Sequence, residues 1–414
     1  MTEEILTHMD NPAYLEKMYR NNKTSFKRAF DLVYPEIKGN PLANFWHERL
    51  NYESDDINWG IKGELIFVVV ISLIAGLIAK LPHFFAINED FFYPRNIGFI
   101  VFPFVAAYFA WKNKLSALNI AISALAMVGG LIFINALPNN KTSDTLVLSC
   151  IHLALLLWCI TGFVYTRNAA NQVQKRLSFL KYNGDLVVMT ALILIAGGIM
   201  SAITVGLFSL IGLKIGEFYF KNVAIFGLAA APIVGTFLTQ TNPQLVGKVS
   251  PVIARIFSPL VAVMLVVYLV AIVYSGKNPY NDREFLLIFN ALLVGVLAII
   301  FFSVAESSKT NKTKAEIWVL TFLSVITIVV NSVALSAIVY RITTMGITPN
   351  RLAIMGGNVL ILINLVLVAV SLFRTISKRS EISEVGKIIA SYLPVYFGWT
   401  IIVTFIFPLI FSFK

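Results

Sequence analysis

The residues best suited to hold a ligand lie in two short polar links rich in arginine, tyrosine and asparagine. One is Tyr93-Pro94-Arg95-Asn96; the other runs from Tyr340-Arg341 to Asn350-Arg351, and each is flanked by apolar runs. Arg95, Arg341 and Arg351 offer planar donor forks that match a carboxylate or a phosphate. Tyr93, Tyr340, Asn96 and Asn350 would add neutral hydrogen bonds, and the acids Glu89 and Asp90 lie close to Arg95 in sequence. Two readings stand side by side. Either these acids pair with the arginines and close one end of a helix bundle, or the arginines bind an anion. Gly346 permits a positive φ, Pro349 cannot continue a helix and Asn350 suits an N-cap, so the second link is predicted to be a sharp re-entry.

Other chemistry is sparse. The chain holds no GxxxxGK[ST], HExxH, CxxC or GxSxG motif, so nucleotide, metal and acyl-transfer sites of those kinds are not expected. His8, His47, His83 and His152 are scattered along the sequence, and no metal site or cofactor is predicted from them. His152 falls inside an apolar run, where an ionisable group is costly and often functional. The plainer alternative is a neutral imidazole bonded to a neighbouring helix. Cys150 and Cys159 are nine residues apart, about 13 Å along a helix, beyond disulfide reach.

The elements that position these residues follow from composition. Of 414 residues, 57% are hydrophobic and 13% charged, against about 25% charged in a soluble domain. The mean hydropathy is +0.78. The predicted fold is an all-α, polytopic integral membrane protein of eleven transmembrane helices over residues 63–414, preceded by a small cytoplasmic helical segment at 1–62. The eleven apolar runs are 64–82, 97–111, 116–137, 145–166, 186–213, 222–240, 252–275, 285–305, 317–340, 351–373 and 388–411. The second is short and contains Pro103. With the N-terminus inside, 23 of the 33 lysines and arginines fall on cytoplasmic segments, which predicts a C-terminus outside and both arginine links on the outer face. The net charge of +11 is thereby assigned to basic loops rather than to nucleic-acid binding.

In 1–62, Asn11-Pro12 reads as a helix start, and Leu15, Tyr19, Phe26, Phe30 and Val33 recur on one face. Two or three short helices are expected, with a break near Pro35. Lys17, Arg20, Lys23, Lys27 and Arg28 could meet anionic lipid heads, although ten acids against eight bases in this segment also suit an ordinary solvated face. Residues 168–183 are too polar to span, and Val173, Leu177 and Leu180 beside Lys175, Arg176 and Lys181 predict a helix lying in the inner interface. Gly198, Ala202 and Gly206 form a stripe on which another helix could pack. Pro232 predicts a kink. Asn119, Asn135, Asn290, Asn331 and Asn364 lie in or near runs, where they could line a path or hydrogen-bond between helices.

RLSFLKYNGD at 176–185, TNPQLVGKVSPVIARIFSPL at 241–260, YPRNIGF at 93–99 and YRITTMGITPNRLA at 340–353 together resemble the bacterial multi-pass membrane proteins grouped as DUF4153. That resemblance implies a bacterial inner-membrane location and supplies no catalytic residues. Three functions are compatible with the sequence. The leading one is binding or transport of an anionic lipid headgroup or small envelope metabolite at the outer arginines. The second is a structural or assembly protein that docks a cytoplasmic protein through 1–62. The third is a membrane enzyme acting on a lipid-linked substrate through Glu89, Asp90 or His83.

Overall fold

The computed structural model describes residues 1–51, 59–140, 142–167, 171–210, 213–247, 249, 258–267, 269–270, 283–307 and 314–413. The chain divides into two compact units, Met1–Ile57 and Asn58–Lys414. Among the described residues the first contains four helices rather than two or three: α1 (Thr2–Thr7), α2 (Pro12–Asn21), α3 (Lys23–Ile37) and α4 (Pro41–Asn51). Asn11 caps α2 by accepting from the Tyr14 amide, with Pro12 at the first helical position. Asn22 caps α3 in the same way through Ser25, so each start is written in the sequence. The break expected near Pro35 follows just after it: Pro35 lies inside α3, which ends at Ile37, and Gly39 turns the chain with φ +113°.

The predicted apolar face of this unit exists, and it closes on α4. Trp46 is buried, its ring 5.2 Å from Phe26 and 5.6 Å from Tyr19. Arg20 and Arg49 both pair with Glu16, and Lys27 donates to the Leu50 carbonyl. These three cations are therefore engaged within the unit. The side chains of Lys23 and Arg28 lie outside the described residues.

In the second unit the count of long apolar helices is eight among the described residues, not eleven. They are α5 (Lys62–Ala79), α8 (Ala117–Ala136), α9 (Asp144–Thr166), α10 (Gln172–Leu210), α11 (Gly216–Thr241), α15 (Lys314–Met345), α16 (Pro349–Ile376) and α17 (Ile382–Ile410). The shorter or more polar helices are α6 (Leu81–Phe85), α7 (Glu89–Lys112), α12 (Pro243–Gly247), α13 (Ser258–Val267) and α14 (Arg283–Ser307). Run 97–111 is the C-terminal part of α7. That helix runs alongside α5, from Tyr93, which donates to Ala79 O, to Lys112, which reaches Glu64. Its polarity is tolerated because Arg95, Asn96 and Tyr108 are enclosed by neighbouring helices. Much of run 252–275 lies outside the described residues, as do Lys248, Arg255, Lys309 and Lys312.

Hydrogen bonds sort the helix ends into two sets. Glu64, Lys112, Asn119, Arg167 and the start of α10 share a first end, tied by Lys112 to Glu64 and Arg167 to Asn119. Lys80, Arg95, Asn139, Ser143 and Asn222 share the second, where Ser143 donates to Phe413 O and Lys80 meets Asn222. One hydrophobic core joins α5, α7, α8, α9 and α11; another joins the first half of α10 to α13–α17. Trp158 of α9 touches both.

The expected interfacial helix at 168–183 is instead part of α10, a continuous helix of 39 residues, roughly 58 Å long. Leu177, Phe179, Leu180 and Tyr182 are buried in the bundle, so this segment packs between helices instead of lying flat. Residues 168–170 lie outside the described set. The stripe Gly198, Ala202, Gly206 is exposed, and a Cβ added at Gly198 or Gly206 meets nothing within 4 Å among the described residues. The packing partner expected for it is not found there. Pro232 is accommodated inside α11. Among the described residues two helices carry a π turn, Phe220–Ala224 in α11 and Ile402–Ile406 in α17. In the latter, Thr404 O accepts from Ser149 Oγ at 2.9 Å.

Candidate functional site

Asn88 caps α7, and the helix carries Glu89 and Asp90 in its first turn, where carboxylates suit the positive end of the dipole. One turn further in, Arg95 points toward the C-terminus of α8. Its Nη1 donates to Ile134 O at 2.9 Å and Leu137 O at 3.4 Å; its Nη2 reaches Pro138 O and Asn139 Oδ1, both at 3.4 Å. The Phe91 ring stacks 4.3 Å from the guanidinium carbon. Arg95 is 4% exposed and satisfies carbonyls that the end of α8 would leave orphaned. Asn96 and Asn135 exchange side-chain amide bonds at 3.0 and 2.8 Å.

The second link turns as the sequence predicts, with one change of role. Gly346 has φ +81°. Thr348, not Asn350, is the N-cap: it is extended and accepts from the Arg351 amide, with Pro349 at the first helical position. Asn350 therefore sits inside the first turn. The Arg351 Nη1 donates to Met345 O at 2.9 Å and Gly346 O at 2.7 Å, closing the end of α15. Arg341 lies one turn back on α15 and is half-buried; its Nε has no hydrogen-bond partner among the described residues. Tyr340 is exposed.

Both links lie at the second end, but α9 stands between the residues around them. Cys150 and Leu146 border the cavity beside Arg95, whereas Leu148 packs with Ala353, Val403 and Phe407. The structure thus keeps Arg95 with Asp90, Pro94 and Asn139, and Arg351 with the turn it caps. The cavity beside Arg95 measures about 770 Å³ and lies between α7 and α9. Asp90, Arg95 and Asn139 mark its polar end, and Ile97, Val147, Ile151, Ala154 and Leu155 continue it as an apolar trough. A head with charged groups at the top and a hydrocarbon tail below matches that lining.

The remaining predicted positions are accounted for locally. His152 bonds through Nδ1 to Leu148 O within its own helix, not to a neighbouring helix. Among the asparagines, Asn358 donates to Asn290 Oδ1 at 2.7 Å, Asn331 donates to Asn358 O and Asn364 to the Tyr396 hydroxyl. These are interhelical ties. Cys150 and Cys159 are free thiols, and no cluster of three His, Cys, Asp or Glu occurs among the described residues.

Sequence reasoning missed the buried charges near the first end. Glu64 accepts from Tyr108 at 2.7 Å and from Lys112 at 2.9 Å, and Lys181 binds both oxygens of Glu306 at 2.5 and 2.7 Å. The available signal was an acid opening one apolar run and a lysine closing the next, both on the same predicted side. No protein-family model, curated protein or solved structure matches the chain.

Proposed function

We propose that this multi-pass helical membrane protein binds an amphiphile with a charged head in the trough between α7 and α9. The observation that carries the reading is the lining of that cavity: Arg95, Asp90 and Asn139 at one end and uninterrupted apolar side chains beyond. A phosphate or carboxylate at that end would be held by the charge of the Arg95 guanidinium, whose Nη donors stay on the end of α8. The acyl chain would lie against Val147 and Ile151, both exposed along α9, where a membrane protein meets lipid tails.

The excess of lysine and arginine on segments at the first end supports a cytoplasmic assignment for that end and an outer-leaflet location for the trough. Membership of the DUF4153 group and a bacterial inner membrane belong to the same proposal. Arg95 also closes α8, so the decisive variant leaves it intact. Ile151→Trp, at an exposed position of the lining, should fill the trough without touching the polar end. Native mass spectrometry of the full chain should find an amphiphile retained by the wild type and lost from an equally folded Ile151→Trp variant. Equal occupancy of both proteins would sink the reading.

A further inference from the structure

A second cavity, of about 510 Å³, opens among α8, α9, α10 and α17 near the first end. Its polar rim is Arg167, Gln172 and Arg176; Trp158, Ala126 and Phe397 are among its apolar walls. Arg167 closes α9 and is exposed. It is steered by a bond from Nε to Asn119 Oδ1 at 3.1 Å and by the Phe163 ring at 5.2 Å. Among the described residues, its hydrogen bonds use Nε alone. Arg176 is half-buried, and its described contact is a long one, Nη1 to Ala390 O at 3.5 Å. Gln172 donates to Thr166 O and Arg167 O, which fixes the end of α9 against the start of α10.

From this arrangement we infer that the α9–α10–α17 cavity is a binding site for an anionic phospholipid of the leaflet at that end. Charge complementarity selects the occupant: no acidic side chain is among the lining residues, and two guanidinium groups face one rim. The N-terminal turn of α10 adds its dipole in the same sense. Depth agrees with a lipid too. Trp158 and Arg167 are nine residues apart, about 13 Å along α9, close to half of a hydrocarbon core of about 30 Å. A headgroup at the rim therefore leaves an acyl chain lying within one leaflet, against Trp158 and Phe397. Basic pockets between spanning helices are a recurrent form of anionic-lipid recognition. This site is separate in residues and in end from the α7–α9 trough and stands or falls without it.

The test uses the full chain in nanodiscs and in detergent. Affinity is measured for phosphatidylglycerol and for phosphatidylethanolamine of the same chain length, with inorganic phosphate as competitor. The wild type should prefer phosphatidylglycerol. R167Q/R176Q should weaken it about 30-fold, at roughly one kcal/mol for each charge removed, and leave phosphatidylethanolamine unchanged. Ala126→Phe, which keeps both arginines and obstructs the chain, should also lose phosphatidylglycerol. If R167Q/R176Q does not fold, Ala126→Phe carries the test alone. Equal binding of the two lipids by the wild type, or undiminished selectivity in the variants, overturns the inference. So does full competition by millimolar phosphate, which would make the rim a soluble-anion site.

Discussion

Replacing Lys112 by Met should strand a carboxylate inside the protein. Glu64 is 7% exposed and takes hydrogen bonds from Tyr108 and Lys112. At 2.9 Å the gross attraction of the pair is about 6 kcal/mol for an effective dielectric near 20, and most of that offsets the loss of hydration. Breaking a fully buried pair costs about 3–5 kcal/mol. The Lys112 side chain is 30% exposed, so water reaches the vacancy and about 2 kcal/mol is expected for Lys112→Met. Glu64→Gln should cost about the same, because it leaves an ammonium without its counter-charge. The double variant should cost less than the sum by about 1.5 kcal/mol, well above the roughly 0.3–0.5 kcal/mol scatter of independent sites. Equilibrium unfolding in mixed micelles of detergent and SDS, on all four proteins, measures that coupling. Simple additivity would refute the argument and make the pair an ordinary surface contact.

Two further outcomes test other parts of the fold. Gly76→Ala would place a methyl 2.1 Å from a ring carbon of Phe226, so it should destabilise the α5–α11 contact by about 1–3 kcal/mol; Phe226→Leu in the same chain should restore most of the loss, and a wild-type stability for Gly76→Ala alone would contradict the close approach. In the N-terminal unit, the hydrogen bond from Arg20 and then the charge of Arg49 hold the Glu16 carboxyl below the usual glutamate range. A folded value below the unfolded one means stabilisation that is complete above the unfolded value, near 4.3, and is lost as pH falls through the folded value. Protection of the α2–α4 amides against hydrogen exchange in the full chain, taken relative to the intrinsic rate at each pH, should therefore fall more steeply with acid in the wild type than in Glu16→Gln, by a margin of no more than about 1 kcal/mol; equal slopes would remove Glu16 from the account.

The long runs that became α8, α9 and α16 were legible because twenty or so apolar residues have few other stable destinations. The turn at Gly346 was legible for a local reason as well, since its backbone needs φ +81° and only glycine adopts that without strain. What escaped was set by distant partners. Nothing near residue 95 indicates that its guanidinium will close a helix ending some forty positions later, and an arginine that caps carbonyls looks, in sequence, like one that awaits an anion. The flat helix expected at 168–183 failed for a related reason. Its amphipathic pattern suits an interface or a bundle equally, and Asn183-Gly184-Asp185 resembles a break. Gly184 is there because Phe302 approaches it, a Cβ at that position falling 2.0 Å from the ring, so the helix continues through it. The aromatic and asparagine ties likewise join residues tens of positions apart, which periodicity cannot pair.

The π turns at Phe220–Ala224 and Ile402–Ile406 give α11 and α17 a register of their own. A π turn holds one residue more than the α-helical path requires, and each residue of an α-helix advances the wheel by about 100°. Side chains before and after such a turn therefore belong to different wheels, and a single amphipathic diagram drawn through either helix assigns one half to the wrong face. The same arithmetic marks these turns as places where the chain could lose a residue and stay helical. Everything beyond would rotate by about a quarter turn, carrying Thr236 away from the Tyr182 hydroxyl it meets at 2.7 Å and Phe407 away from the ring of Trp399. The two extra residues act as phase corrections, aligning each helix with one set of neighbours below the turn and another above it.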